Sequence, residues 1–448
     1  MDISLEQLTL CRTGQYPVTQ ILQATIDRIA DSGGGTLTIT PGIYLTGTLV
    51  LPSNFCLRLE TGAVLKASAD EEDYQNVTTR TEAEQSRTAL LYAYQATQIT
   101  IQGNGIIDGS GEDFFLTGED DQGYRMPRTP RPRILVFEAC THIHLTQFMI
   151  QQAPMWTVHL VHCQHVHIDQ LTIDNDLTMP NTDALNLDSC QHVTVTGCHF
   201  SAGDDDICLK TTDKLAELQQ TTAHIMISDC LFRSKSCAIK FGSETFADIQ
   251  DVHVHHCIIY ESNRGIGLFS RDGGSISHCS FDHIHFDCHY ATACHWGQAD
   301  PVFISVRPRT SATPSATISH IEFDHLSGCA EGAINLHADP VGSVSAIRFN
   351  QIDFIQQFSP EHIDALYDIR PPCNPERPTG QGLDNAYRLN DETGVAFGLE
   401  YYPHGMPGLF AQGIDELTLT DIHIQRPKPL PLGWNTETVY QIQNCVTD

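Results

Sequence analysis

A parallel β-helix is the fold class this sequence predicts, and three observations predict it. First, a template of apolar-x-apolar-x-x-apolar-x-apolar recurs along the chain. It reads HLTQFMI after Ile143, VHIDQLTI from Val166, VTVTGCHF from Val193 and IMISDCLF from Ile225, then VHVHHCII from Val252, CSFDHIHF from Cys279, IEFDHLSG from Ile321 and IRFNQIDF from Ile347. Second, the steps 166 to 193, 225 to 252 and 252 to 279 are each 27 residues, and 321 to 347 is 26. Third, a further strand per repeat aligns in the same order, as WTVHLVH, DALNLDS, DDICLKT, CAIKFGS and RGIGLFS. Short alternating strands around polar or Gly corners, repeated at this period, are turns of one stacked solenoid.

With ITIQGNGI from Ile99 and LTLTDIHI from Leu417 as outer members, the solenoid has about ten coils and takes residues 1–448 as one domain. That overrides the length prior, which suggests about three domains. A hydrophobic content of 41% and a charged content of 18% suit a folded protein with a large core. The net charge of −30 argues against nucleic acid or an anionic membrane as partner. The opening MDISLEQLTLCRTGQYPV lacks a basic region followed by an apolar run, and no apolar stretch is long enough to span a membrane. The expectation is therefore a cytoplasmic protein whose 16 scattered cysteines are reduced and mostly buried.

Taken in order, residues 1–65 form an N-terminal cap. In TQILQATIDRIADSGGG, Leu22, Ile26 and Ile29 share one helical face, and Gly33–Gly35 end the helix. Such a helix covers the open edge of the first coil, whose unpaired backbone would otherwise invite association. Further on, Val158, Leu185, Ile207, Ile239 and Ile266 form one inward column, and Leu160, Leu187, Leu209, Phe241 and Leu268 another. Between them His159, Asn186, Cys208, Lys240 and Gly267 face outward by alternation. Residues 355–411, rich in Pro, Gly, Tyr and charge, read as an excursion over the open face.

The column of Trp156, Asp183, Asp205, Cys237 and Arg264 should by alternation point inward. Unpaired buried aspartates are costly, and Pro154, Pro180 with Asn181, and Gly203 sit where the chain can bend. The column is therefore expected on the outer surface. Stacked strands lie about 4.8 Å apart, so Asp183 and Asp205 are expected as neighbours, with Asp204 at the bend beside them. Clustered carboxylates push their proton affinities apart, so that one serves as general acid while another ionises as base. An acidic turn or a cation site is the plainer alternative.

NTD at 181–183 and GDD at 203–205, together with GGGTLTITPGIYLTGTLVLPSNFCLRLETGAVL at 33–65, resemble glycoside hydrolase family 28, the polygalacturonase and rhamnogalacturonase group of right-handed β-helix enzymes. The resemblance spans most of the chain, and the spaced motif pair is more specific than either triplet. It implies that Asp204 protonates the departing glycosidic oxygen while Asp183 and Asp205 activate water for single-step inversion, with Asn181 among the substrate-binding residues. Two departures stand out. The histidine of the family's G-H-G falls at Cys237, and its R-I-K falls on Gly267-Leu268-Phe269, which argues against endo-cleavage of ordinary polygalacturonate. Lys240, Arg264 and Arg271, with Lys210, are candidates to restore a positive subsite; alternatively, Phe269 makes that subsite suit a less charged sugar such as rhamnose. Trp296 is a candidate aromatic platform, with packing as its plainer role, and Arg307 and Arg309 are candidates for a uronate.

His-x-His pairs at 142/144, 165/167, 253/255 and 283/285 fall on polar strand faces and corners, and they read as stacked surface histidines rather than a zinc site. No cofactor or metal is expected. The leading function is an inverting, exo-acting hydrolase of pectin-derived oligosaccharides with galacturonosyl or rhamnosyl linkages. A β-helix polysaccharide lyase and a non-catalytic carbohydrate-binding β-helix are the competing classes.

Overall fold

The computed structural model describes every residue except 76, 120–122, 129, 293–294, 361–364, 371–397 and 444–448. Much of the 355–411 excursion therefore lies outside the described residues. The chain divides into two compact units, Met1–Asp204 with Lys214–Gln220, and Asp205–Asp213 with Thr221–Asp448. Each is a stack of parallel β-helix coils.

In the first unit, strands Gly35–Ile39, Phe55–Leu59, Thr97–Gly103, Thr141–Thr146, Gln164–Asp169 and Gln191–Thr196 stack in parallel register. Ile143, Val166 and Val193 face one another in this order, all buried, as the repeat predicts. A shorter strand follows each later copy, such as Thr172–Asp174 after Gln164–Asp169 and His199–Ala202 after Gln191–Thr196. The template therefore spans two strands, and the coil has three. The third set, hereafter the site sheet, comprises Leu49–Val50, Ala89–Tyr94, Arg133–Glu138, Val158–Val161 and Leu185–Asp188 in this unit.

The second unit repeats the plan. Its site sheet runs through Ile207–Thr211, Cys237–Thr245, Arg264–Ser270, Val302–Val306, Ile334–Ala338, Leu409–Gln412 and Val439–Ile442. Ile207, Ile239 and Ile266 align in one column, and Leu209, Phe241 and Leu268 in the next. In the core, Phe281, Phe323 and Phe349 stack with ring centroids 4.9 and 4.6 Å apart.

Corners are made by left-handed residues other than glycine. His142, His165 and His192 each have φ 56°, and their rings stack at 5.0 and 5.1 Å. His278 and His320, both at φ 55°, stack at 4.8 Å. Short polar side chains tolerate this region better than branched ones. The His-x-His pairs thus divide between corners and outward strand positions.

The helix Thr19–Asp31 buries Leu22, Ile26 and Ile29 completely. Its end is closed by the amides of Gly33 and Gly34, which donate to Ala30 and Ile29 carbonyls. Capping is literal here. The Gln23 amide donates to the Val50 carbonyl and accepts from the Val50 N–H at 3.2 and 2.8 Å, occupying the first edge of the site sheet.

Two columns depart from the expectation. His159, Asn186 and Cys208 are fully buried and Lys240 is 8% exposed, although they alternate away from the coil interior. Trp156, Asp183, Asp205, Cys237 and Arg264 are likewise buried rather than on the outer surface. The reason is that other chain segments lie on the site sheet and bring charge with them. In the first unit Arg133, itself buried, donates to Thr79, to the Thr81 carbonyl and to His159 Nδ1. His159 Nε2 meets Asp188 at 3.4 Å, and Lys214 Nζ donates to the other Asp188 oxygen at 2.5 Å. Glu138 accepts from the Arg80 and Thr81 amides and from the Tyr92 hydroxyl.

Removing the Phe323 ring from the three-ring stack should cost about 3–5 kcal/mol. Phe323→Ala is therefore expected to lower the thermal midpoint sharply, whereas a substitution at an exposed strand position such as Arg348 should not. Burial pushes the Asp188 carboxyl up, but Lys214 and His159 outweigh it and hold the group below the usual carboxylate range. A depressed carboxylate contributes stability above its unfolded value, near 4, and that stability is lost as pH falls through the folded value. Lys214→Met leaves the buried charge without its ammonium, a loss of about 3–5 kcal/mol. Its effect on the thermal midpoint should be largest at neutral pH and shrink on acidification, as Asp188 takes up a proton.

Candidate active site

In the first unit the two sequence motifs are joined by buried polar contacts. Asn181 adopts φ 58°, which lets the chain turn after Pro180 and enter the strand Leu185–Asp188. Thr182 Oγ1 donates to the Met179 carbonyl at 2.8 Å and accepts the Gly203 N–H at 3.1 Å. A Cβ on Gly203 would sit 2.3 Å from the Met179 oxygen, so only glycine fits against the NTD turn. Asn175 completes the lattice, donating to Thr157 Oγ1 and the Thr182 carbonyl and accepting from the Ala153 amide. Middle and first residues of the two triplets thus hold each other, and Asp183 and Asp204 are displayed from the result. Asp183 is 2% exposed, while Asp204 is half-buried.

The bends are clamped by a residue the sequence reading missed. Arg131, buried, donates through Nη1 to the carbonyls of Pro154 and Pro180 at 3.0 and 3.1 Å and through Nη2 to Asn181 Oδ1 at 3.0 Å. Its signal in the sequence is slight, a basic RPR at 131–133 before an apolar strand. Trp156 is no open platform: its ring meets His159 edge-on at 4.9 Å and packs with Met155 and Ala83.

In the second unit Asp205 is 1% exposed, and its Oδ2 accepts from Lys240 Nζ at 2.6 Å. Asp205 Oδ1 is buried with no hydrogen-bond partner among the described residues. The Lys240 ammonium also lies 5.4 Å from the centre of the half-buried Trp296 ring. These three predicted residues are brought together. The Cys237 thiol, at the position of the family histidine, donates to the Ile239 carbonyl at 3.3 Å. Burial, and then the Asp205 charge, push it well above the usual thiol range, so it stays a neutral thiol.

The remaining cations are placed differently from the expectation. Arg264 is not at an open subsite: it pairs with buried Asp300 at 3.1 Å, donates to the Asp368 carbonyl, and lies 5.0 and 4.6 Å from the ring centres of Phe269 and Phe303. Arg271 is buried as well, donating to the Ser305 and Ile369 carbonyls. Phe269 does not line a subsite either. It is 1% exposed and packs with Phe303, Tyr367, Tyr402 and Phe410. The physical cause is shared, because residues 365–370 lie on this part of the site sheet, where the Asp368 and Ile369 carbonyls accept from the two guanidinium groups and Tyr367 packs with Phe269. Lys210 is buried 3.9 Å from Glu244, and Arg309 grips Asp272 through two nitrogens at 2.7 and 3.0 Å. Arg307 remains partly exposed, 3.5 Å from Glu400.

Among the described residues, one group has the spacing of a metal site. Asp282, His283 and His325 offer ligand atoms within 4.8 Å of one another, on an exposed corner away from the site sheet. Sequence spacing hides it, because coil register, not chain proximity, sets Asp282 opposite Asp324. None of Asp183, Asp204 and Asp205 belongs to it.

The family model for glycosyl hydrolases family 28 matches residues 48–339, a stretch holding both triplets and the clamping arginine. A probable polygalacturonase of Vitis vinifera is 29% identical over 269 residues, 57% of this chain and 54% of that protein. The chain spans about half the length of the curated relatives it matches first. In fold it is similar to a family 28 exopolygalacturonase of Yersinia enterocolitica, with TM-score 0.70, 15% identity and coverage of 98% of this chain and 77% of that one. A hyperthermoactive exopolygalacturonase of Thermotoga maritima gives TM-score 0.67, 19% identity and coverage of 80% and 87%. The chain belongs to glycosyl hydrolases family 28, as a polygalacturonase-like member built on a right-handed parallel β-helix.

Proposed function

We propose that the protein is an inverting glycoside hydrolase that removes single sugars from the ends of pectic oligosaccharides. The observation that carries this reading is the Thr182–Gly203 lock, which ties the NTD turn to the GDD turn and leaves Asp204 the most exposed of their three carboxylates. A general acid must reach the glycosidic oxygen, so Asp204 takes that role, with Asp183 and Asp205 activating water. Lys240 orients the Asp205 carboxylate through its 2.6 Å hydrogen bond. It also supplies positive charge close to Trp296, which supports a galacturonosyl over a rhamnosyl unit. Asn181 and Arg307 are the other proposed substrate contacts; Arg264 and Arg271 instead hold residues 365–370 against the site sheet. Exo-action is supported by residues 365–370 together with Tyr402, which occupy part of the site-sheet face in the second unit, and by the names of the two structural neighbours.

The test is a panel of galacturonate, rhamnogalacturonan and unsaturated pectic oligosaccharides, with products followed by mass. The wild type is expected to release a monosaccharide carrying one added water while the remaining chain shortens one unit at a time. Asp204→Asn should lower the rate by about 10²–10⁴-fold, the usual contribution of a general acid. New unsaturated, ultraviolet-absorbing products from the saturated substrates would contradict the hydrolase, as would binding without turnover that Asp204→Asn leaves unchanged.

A further inference from the structure

We propose that Arg131 is a positioning residue for this reaction, holding the turn that presents Asp183 and acting by its charge on Asp204. The inference rests on the hydrolase reading above but concerns a residue outside both sequence triplets. Site-sheet register explains how it can do both. Leu135, Val158 and Leu185 stand in one column, so stepping back four residues along each coil aligns Arg131, Pro154 and Asn181. Successive coils lie about 4.8 Å apart, and an arginine is long enough to cross one coil and touch the next. Its guanidinium does so, bonding the carbonyl of Pro154 on the adjacent coil and Pro180 and Asn181 on the coil beyond.

A neutral donor could satisfy those oxygens, so the presence of a cation needs its own reason. Burying a guanidinium is costly, and burial pushes Arg131 down to about 10, opposed by the charges of Glu84 and Asp204. The ring of Phe115 faces the guanidinium from a third side, 5.4 Å from its carbon. The charged groups acting on Arg131 are thus Glu84, from the segment ahead of Ala89–Tyr94, and Asp204, from the GDD turn. Asp176, whose carbonyl adjoins Gly203, is turned instead toward Arg125 at 3.7 Å. A fixed positive charge tied to the GDD turn through Asn181, Thr182 and Gly203 favours the ionised form of Asp204 and so lowers the pH above which the acid is spent. The planar fork fixes the turn in a way an ammonium cannot.

The experiment compares Arg131→Gln, which keeps a donor and loses the charge, with Arg131→Lys, which keeps the charge and loses the fork. Folding is checked by circular dichroism and thermal midpoint. Arg131→Gln is expected to lower kcat at least tenfold with KM changed less than threefold, and to move the high-pH limb of the rate profile upward by about 1 pH unit. Arg131→Lys should lose rate and keep the limb. A direct titration of Asp204 by ¹³C-carboxyl NMR, its signal assigned by its loss in Asp204→Asn, should show the same upward shift in Arg131→Gln without any substrate. A folded Arg131→Gln protein whose rate, limb and Asp204 titration match the wild type would overturn the inference. Were Asp204→Asn to retain full activity, the hydrolase assignment would fail instead, and the NMR titration would still decide whether Arg131 acts on Asp204.

Discussion

In-register stacking of successive coils is the constraint on which everything else here depends. A one-residue slip would turn every inward side chain outward, so each coil is bound to place Ile143, Val166 and Val193, or Phe281, Phe323 and Phe349, directly over one another. The same rule that aligns apolar residues aligns polar ones. It brings Asn181 into line with Pro154 and Arg131, and Lys240 into line with Cys208 and Gly267. A functional surface on such a fold is written one residue per coil, and neighbours in space are a coil length apart in sequence.

The second feature is the covering of the site sheet. Only 25 lysines and arginines stand against 55 acidic residues, yet Arg131, Arg133, Lys210, Lys240, Arg264 and Arg271 are all buried along this one sheet or beside it. Buried cations survive only with partners. Those partners differ in kind: Arg133 works through hydroxyls and His159, Arg264 through Asp300 and two aromatic rings, Arg271 mainly through carbonyls. The result, within each unit, is a set of buried and partnered cations in a chain whose net charge is −30.

How far the sequence told this follows from the same physics. Periodicity made the coils, the inward columns and the capping helix legible, because side chains take opposite sides of a strand in strict alternation and recur on one face of a helix. The pairing of NTD with GDD was legible as a pattern, but not its mechanical basis, since the Thr182 hydroxyl on the Gly203 amide leaves no spacing signature. What failed was exposure. Alternation says which side of a strand a residue takes, not whether another segment lies over it, so Arg264, Arg271 and Phe269 were read as surface groups although residues 365–370 enclose them. Arg131 was missed because its targets are two carbonyls and one amide oxygen, none with a residue-type preference. The template's division into two strands in the first unit was hidden by corner residues such as Gln147 and Gln170, whose left-handed backbone no side-chain pattern announces.

In the proposed mechanism, Asp183, Asp204 and Asp205 work as the acid and base of a single displacement by water. The anomeric configuration of the first product tests this most directly, followed by proton NMR within the first turnovers and before mutarotation. The account predicts a reducing sugar of the anomer opposite to that of the cleaved linkage. First-formed sugar of retained configuration would mean a covalent glycosyl intermediate, and the assignment of these three carboxylates would have to be abandoned.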